Sequence, residues 1–484
     1  MKKLRADFKH RELFVHLFGN DVYAVGGFVR DNLRGIPSEE VDLLVQGHPL
    51  EEIIEKLKPH GKVDLVGRSF GVIKFTIDGR TYDIALPRKD EPKEVTESQQ
   101  RGHKDFIIQA DPYLPLEKDL ERRDFRCNSL ALRLADGTVI DPFNGSEDIE
   151  KKIIRITNPK AFPDDPLRVL RAARFASVLE FTIDPEIYLT AKEIDLSGLS
   201  VERVNEELFK ILLLSRRPSR GLQEMLKLNV LKQLFPELYR CSLSIQDSVF
   251  HPEKDEYGHH TVWAHTLLSV DQAKAIGEIT GLEQTKKLAL LLAALYHDTG
   301  KPATANWEYK KDRLVITNNG HDLLSEKIVK KAFARQKIFS WNGYNLRTIV
   351  PMLIRNHHRA SEIWLNRKAV TKKAFNRLAA DVKGEIELLI FLDAADRAGR
   401  KKQLITQLDR QAVWLLKKFE ELKINKETIK PLIMGRDLIK LGVAPGPEMG
   451  KILKRLYRLQ LDNHFETKAQ GLKLAKKLIE EKHR

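Results

Sequence analysis

The chain has 484 residues, 42% of them hydrophobic, and a net charge of +15. That length suggests about three domains, the apolar content excludes a disordered tail, and two distant cysteines, Cys127 and Cys241, exclude a disulfide scaffold or a cysteine-based zinc module. A basic excess of this size points to a polyanion, although an ordinary solvated surface explains it equally well. No apolar run reaches membrane-spanning length, and MKKLRADFKHRELF at the N-terminus lacks the apolar centre of a leader, so a cytoplasmic protein with no membrane partner is expected.

In chain order, the first signals are β. VYAV runs into Gly26-Gly27, and EVDLLV (residues 40–45) is a second strand. HPLEEIIEKLKPHG has helical spacing, with Gly61 as its stop. GVIKFTI and TYDIAL are two more strands joined by Asp78-Gly79, a tight-hairpin signal. The polar stretch from Asp90 to Leu120 reads as a mobile loop. NSLALRL and TVIDPF flank Asp136-Gly137 as a last strand pair. Residues 1–148 are therefore expected to form an α/β domain. From residue 149 the apolar spacing turns helical, in DDPLRVLRAARFASVL and SVERVNEELFKILLL. A helical region over 149–245, a helical region rich in His and Asp over 246–400, and a basic helical tail over 401–484 complete the expected division.

Alternate residues of a strand share a face. Glu40 and Asp42 are thus expected to project together, with Asp83 alongside on a nearby strand. Three converging carboxylates repel one another unless a cation sits among them. Hard divalent cations held by carboxylates, about 4 Å apart, are the usual apparatus of in-line nucleotidyl transfer. Gly26 and Gly27 would then allow close approach of a ligand. The helix opening in FVRDNLRG would receive phosphate oxygens, with Arg30 adding a charged contact. The plain alternative is a strand–turn–helix with surface charges.

GGFVRDNLRG followed by EVDLLV resembles the head of the class II tRNA nucleotidyltransferase and bacterial poly(A) polymerase family, whose head is polymerase-β-like. Five further segments resemble that family in the same order: ERRDFRCNSLAL, IDPFNGSEDI, DDPLRVLRAARFA, SVERVNEELFKILL, and RPSRGLQEML with LFPEL. The resemblance implies a nucleotidyltransferase head, an all-α neck and tRNA as partner, with CTP and ATP as substrates. It makes Asp42 and Asp83, with Glu40 in place of the family's aspartate, the catalytic carboxylates that hold Mg²⁺. Gly26, Gly27 and Arg30 would hold the triphosphate. Arg123, Asp124 and Asn128 would contact sugar and phosphates. Asp165 and Arg168 would read the base edge side by side from one helical face, with Arg171 and Arg174 on the same helix. Arg126 stands where the family usually has threonine, and Ser129 where it has alanine. With Glu40, these departures keep open a head retained only for binding.

The 246–400 region carries YGHHTVWAHTLLSV, LLAALYHDTGKPAT, GHDLLSEK, IRNHHRA and FLDAADRAGR. His265, His297, Asp298 and Asp396 are a possible ligand set for a divalent metal of unspecified identity, and His321, His357 and His358 a second metal site or a phosphate grip. The order H…HD…D and the HDTGKP run resemble the all-α HD phosphohydrolase superfamily. Head, neck and HD region in this order resemble the HD-containing bacterial CCA-adding enzymes, which implies CCA addition plus hydrolysis of RNA-end phosphates. The alternatives are a metal-dependent phosphohydrolase with a degenerate head, a poly(A) polymerase, and a non-catalytic tRNA-binding protein. The basic tail is expected to grip an RNA backbone.

Overall fold

The computed structural model describes residues 3–65, 72–92, 106–310, 312–422, 424 and 430–480. The chain forms two compact units, one of Met1–Arg216 with Arg220–Leu234, the other of Arg217–Ser219 with Phe235–Arg484. No helix among the described residues is long and apolar enough to cross a membrane.

The first unit is built on a seven-stranded sheet. Its strands are β1 (Val22–Val25), β2 (Asp42–Val45), β3 (Lys62–Leu65), β4 (Val72–Ile77), β5 (Arg80–Ala85), and, beyond a separate hairpin of β6 (Arg88–Pro92) and β7 (Phe106–Ala110), β8 (Ala131–Arg133) and β9 (Val139–Ile140). The order across the sheet is β3-β4-β5-β2-β1-β8-β9. β2 and β5 run parallel, and the other neighbours in this sheet are antiparallel. β1 is buried along its whole length, as a central strand covered on both faces should be. Tyr23 and Val25 pack with Leu44, Ala131, Leu116 and Leu120 on one side. On another part of the sheet, Phe14 meets Phe75 and Tyr82 edge to face.

Asp78 and Gly79 join β4 to β5 with φ of 47° and 74°. Two successive left-handed residues match the right-handed twist of the strands they connect. Gly61 serves a different purpose from the expected helix stop. The helix Leu50–Leu57 ends at its C-cap Lys58, and a methyl group at Gly61 would sit 2.4 Å from the Thr76 carbonyl oxygen. Contact with β4, not helix termination, is what requires glycine there.

The expected loop at 90–120 is largely structured. β6 pairs with β7, and Leu116–Glu121 is a helix whose Leu116 and Leu120 join the core. Residues 93–105 of that stretch lie outside the described residues. Beyond the sheet, the helices Leu167–Val178 and Val201–Leu214 pack together, the second capped by Ser200 Oγ accepting from Arg203 N.

In the second unit, Gln284–Tyr296 is the central helix and is buried from Leu288 onward. A helix apolar on all sides belongs in the middle of a bundle. Val262–Ile279, Leu346–Asn356 and Ile386–Ala398 pack around it. The expected all-helical character is interrupted by an antiparallel hairpin of Asn306–Lys310 with Arg313–Thr317. Its alternation of Trp307, Tyr309, Leu314 and Ile316 is a two-residue period hidden among charges. In the tail, Ile433, Leu438, Leu456, Phe465 and Ala475 make a core of their own.

Candidate active sites

The first unit holds a cleft of about 600 Å³ at the β2–β5 edge. Asp42 and Asp83 are register partners on these parallel strands, so their side chains leave the same sheet face about 4.8 Å apart at the backbone. Asp42 opens to solvent, yet the protein packed around the cleft desolvates its carboxyl enough to raise it above its usual range; Arg123 opposes that shift, and the charges of Asp83 and Glu40 add to it. A cation between the two carboxylates relieves this repulsion, and an all-oxygen donor pair suits a hard divalent ion.

Around them runs a chain of polar contacts. Buried Arg30 donates from Nη1 to Asn128 Oδ1 at 2.7 Å. Asn128 Nδ2 donates to Asp124 Oδ1 at 3.0 Å, and Asp124 Oδ2 accepts from Arg171 Nε at 2.7 Å. Burial works against the charge of Asp124, but Arg171 and Asn128 outweigh it and hold the carboxyl below the usual range. Gly26 has φ 68°, and a Cβ there would lie 3.1 Å from Arg123 Nη1. Both the left-handed backbone and the guanidinium demand glycine. Arg122 and Arg123 reach the cleft from one anchor, the fully buried Asp119, with contacts of 2.8 and 3.1 Å.

Several expected residues stand elsewhere than the sequence suggested. Glu40 is exposed and does not line the cleft. Val25, the last residue of β1, pairs with Asp42, and the ladder between β2 and β5 begins at Asp42–Asp83 although β5 itself runs back to Arg80. β2 therefore starts at Asp42, where both ladders begin, and Glu40 lies before it. Asp165 and Arg168 both line the cleft but do not bond side chain to side chain. Asp165 precedes the helix in extended backbone and is gripped by Arg203 Nη2 at 3.0 and 3.3 Å. Arg168 donates from Nη1 to the Ala161 carbonyl and from Nη2 to the Arg122 carbonyl, which fixes the plane of a guanidinium that has five N–H donors. Arg171 lines the cleft, whereas Arg174 turns away to Glu207 Oε2 at 2.5 Å and stacks on the Phe175 ring. Arg203 and Asp119 were missed. SVERVNEEL, quoted only as a resemblance, contains Arg203.

The second unit brings the His and Asp residues together. His265 Nε2 is 2.8 Å from Asp396 Oδ1, and His297 Nε2 is 3.2 Å from Asp298 Oδ2 and 3.8 Å from Asp396 Oδ1. His321, His357 and His358 form a second group with ligand atoms within 4.8 Å of one another. Asp298 faces both groups, since its Oδ1 lies 3.4 Å from His321 Nε2. Nδ1 of His297, His321 and His357 donates to the carbonyls of Ala294, Asn318 and Ile354 at 2.7–2.8 Å. A carbonyl only accepts, so Nδ1 carries the hydrogen and each ring aims its Nε2 inward, free to act as a ligand atom. His297 Nε2 and His357 Nε2 are buried with no hydrogen-bond partner among the described residues. Ring nitrogens and carboxylate oxygens converging at these distances are a donor set that fits a divalent metal ion. Glu253, absent from the sequence reading, has Oε1 2.9 Å from His265 Nδ1 and 2.9 Å from His251 Nδ1. Burial works against its charge, yet the two rings hold its carboxyl down at about 2.

Three family models match the chain. The poly A polymerase head domain matches residues 22–155, the probable RNA and SrmB-binding site of polymerase A matches 180–241, and the HD domain matches 262–400. The chain is 30% identical over 451 residues to the multifunctional CCA protein of Methylococcus capsulatus, covering 90% of this chain and 92% of that protein. It is 33% identical over 322 residues to the multifunctional CCA protein of Hahella chejuensis, covering 65% and 68%. In fold it is similar to the Bacillus stearothermophilus CCA-adding enzyme in complex with CTP, with a TM-score of 0.61, 21% identity and 98% of each chain covered. It is also similar to the Thermotoga maritima CCA-adding enzyme complexed with tRNA, with a TM-score of 0.55, 22% identity and coverage of 98% and 99%.

Proposed function

The chain belongs to the multifunctional CCA protein family, and from that premise we propose that it adds CCA, or part of it, to tRNA 3′ ends from CTP and ATP. The observation that carries the reading is the pairing of Asp42 with Asp83 beside the Arg30–Asn128–Asp124–Arg171 chain. In the reaction the tRNA 3′ oxygen attacks the α-phosphorus, the bond to the bridging oxygen breaks, and pyrophosphate leaves. Asp42 and Asp83 would hold Mg²⁺, which when bound neutralises phosphate charge and lowers the pKa of the attacking hydroxyl. Arg30 and Arg123 bind the triphosphate next to the open backbone of Gly26 and Gly27. Asp124 and Asn128 orient the sugar, and Arg171 holds Asp124 ionised. Asp165 offers an acceptor to the base edge and Arg168 offers donors, with Asp165 aimed by Arg203. A cytoplasmic setting fits two cysteines that are both buried free thiols. The test is stepwise extension of tRNA transcripts ending before the first C, the second C or the terminal A. Extension lost in Asp42→Ala supports the reading. No extension of any transcript sinks it and leaves a head used only for binding.

The position of Asp298 between two ligand groups favours a second activity, hydrolysis of phosphate esters at RNA ends. His265, His297, Asp298 and Asp396 would hold one divalent ion and Asp298, His321, His357 and His358 another. Such an ion supplies an activated water and charge neutralisation. Glu253 fixes the ring of His265, and Lys301 Nζ, 2.7 Å from Asp298 Oδ2, places a cation at the same point. Opening of a 2′,3′-cyclic RNA end to a 2′- or 3′-phosphomonoester, water adding to phosphorus as one P–O bond breaks and the freed sugar oxygen takes up a proton, is the expected result and is lost in His297→Ala; an inert wild type refutes it.

A further inference from the structure

Between the HD dipeptide and His321 the chain makes the hairpin Asn306–Lys310 with Arg313–Thr317. Trp307 pairs with Ile316 and Tyr309 with Leu314, so these four side chains share one face. The opposite face is the one packed down, with Val315 only 6% exposed. The four-residue face looks outward, with Trp307 56%, Tyr309 72% and Leu314 56% exposed. Two rings and two aliphatic groups kept in water on a two-stranded hairpin are a liability unless something uses them.

The hairpin borders a cavity of about 300 Å³, walled on its other side by Gln246, Asp247, Ser248, His259 and His260. Asp247 fixes the hairpin by accepting from Arg313 Nη1 at 2.8 Å and Nη2 at 3.1 Å. Gln246 connects the cavity with the HD centre. Its Oε1 accepts from Lys301 Nζ at 3.3 Å, and that Nζ lies 2.7 Å from Asp298 Oδ2. Two side chains thus span the distance from the cavity wall to the carboxylate shared by both ligand groups.

The occupant that fits is an unpaired nucleotide. Every base has a π-face, so an exposed ring stacks bases with little sequence preference. Aromatic side chains on a strand are a common way to hold single-stranded RNA. The net charge of +15 suits a polyanion. A protein partner is disfavoured by size, because four side chains fall far below the roughly 800 Å² per partner of a stable interface.

We propose that this cavity is a nucleobase subsite of the HD centre, stacking the last unpaired base of an RNA 3′ end on Trp307 and so presenting its terminal phosphate to the metal-binding side chains. The proposal rests on the phosphohydrolase reading above. It is tested on the full chain with Trp307→Ala and Trp307→Phe, using an oligoribonucleotide with a 2′,3′-cyclic end and bis(p-nitrophenyl) phosphate, which has no base. Trp307→Ala is expected to lose kcat/KM on the RNA end by roughly 5- to 150-fold more than on the small diester, with Trp307→Phe largely restoring it. Equal losses on both substrates, or no loss on RNA, overturn the subsite. If the wild type hydrolyses neither substrate, the phosphohydrolase reading has failed. Quenching of tryptophan fluorescence by cytidine 2′,3′-cyclic phosphate then decides: a saturable quench that disappears in Trp307→Ala supports the subsite, and its absence in the wild type overturns it. Dimerisation that Trp307→Ala abolishes would assign the face to a second copy and also overturn it.

Discussion

Asp42 and Asp83 stand directly opposite each other on neighbouring parallel strands, and the charge of Asp83 adds to the upward shift of the Asp42 carboxyl. Function and stability should therefore part at this position. Asp42→Asn is expected to cut nucleotide incorporation by more than about 100-fold. The Asp42 pKa is raised in the folded protein, so its charge opposes folding once pH exceeds the unfolded value. Removing the charge should leave the metal-free Tm at neutral pH unchanged or higher. Thermal unfolding with and without Mg²⁺, beside an incorporation assay, checks both halves; a lower metal-free Tm would contradict the repulsion.

Arg203 is expected to govern nucleotide choice without touching the reacting atoms. Arg203→Ala frees Asp165, which Arg203 Nη2 holds at 3.0 Å. Discrimination among CTP, ATP and UTP should fall about 10-fold, the scale of one lost charge-assisted hydrogen bond. Competition assays on transcripts ending before C and before A measure it. Arg203→Lys, which keeps the charge but not the fork, should restore only part.

Asp119 should set the acid limit of the first unit. Burial works against its charge, but Arg123 and Arg122 outweigh it and lower its pKa in the folded state. A depressed carboxylate contributes stability that is present above roughly pH 4 and is lost as pH falls through the folded value. Asp119→Asn is expected to cost about 3 kcal/mol at pH 7, as for other broken buried pairs. The deficit against wild type should shrink toward zero in urea titrations at progressively lower pH. A deficit independent of pH would mean that packing, not charge, is lost.

Metal content should distinguish the ligands of the second unit. Asp298 faces both histidine groups, whereas His357 belongs to one. His357→Ala is expected to lose part of the bound divalent metal and Asp298→Ala nearly all of it. Elemental analysis after dialysis reads this directly. A chelator should also lower the Tm of the wild type, because an ion that binds only the folded form stabilises it. Equal metal loss in both variants would remove Asp298 from its shared position.

Local chemistry was the readable part of this chain. VYAV follows from a short apolar run, the Asp78-Gly79 turn from its dipeptide and the Leu167–Val178 helix from a 3.6-residue period, all of which depend on near neighbours. Long-range partners were not readable. The start of β2 depends on where β1 stops and where pairing with β5 begins. Gly61 answers to Thr76 on another strand. Asp165 takes its partner from 38 residues downstream rather than from Arg168 on the next turn. Glu253 could not be assigned to His265 without the fold, because nothing in FHPEKDEYGHH marks one acid above the others.

The grip of Arg203 on Asp165 also bears on accuracy. In the proposed transferase no nucleic acid strand dictates the incoming nucleotide, so the instruction resides in the tertiary packing of Val201–Leu214 against Leu167–Val178. An instruction stored in packing softens with heat and denaturant, while the carboxylates sit on a central sheet. Errors should rise on warming before synthesis stops, and fidelity becomes a melting property of two helices.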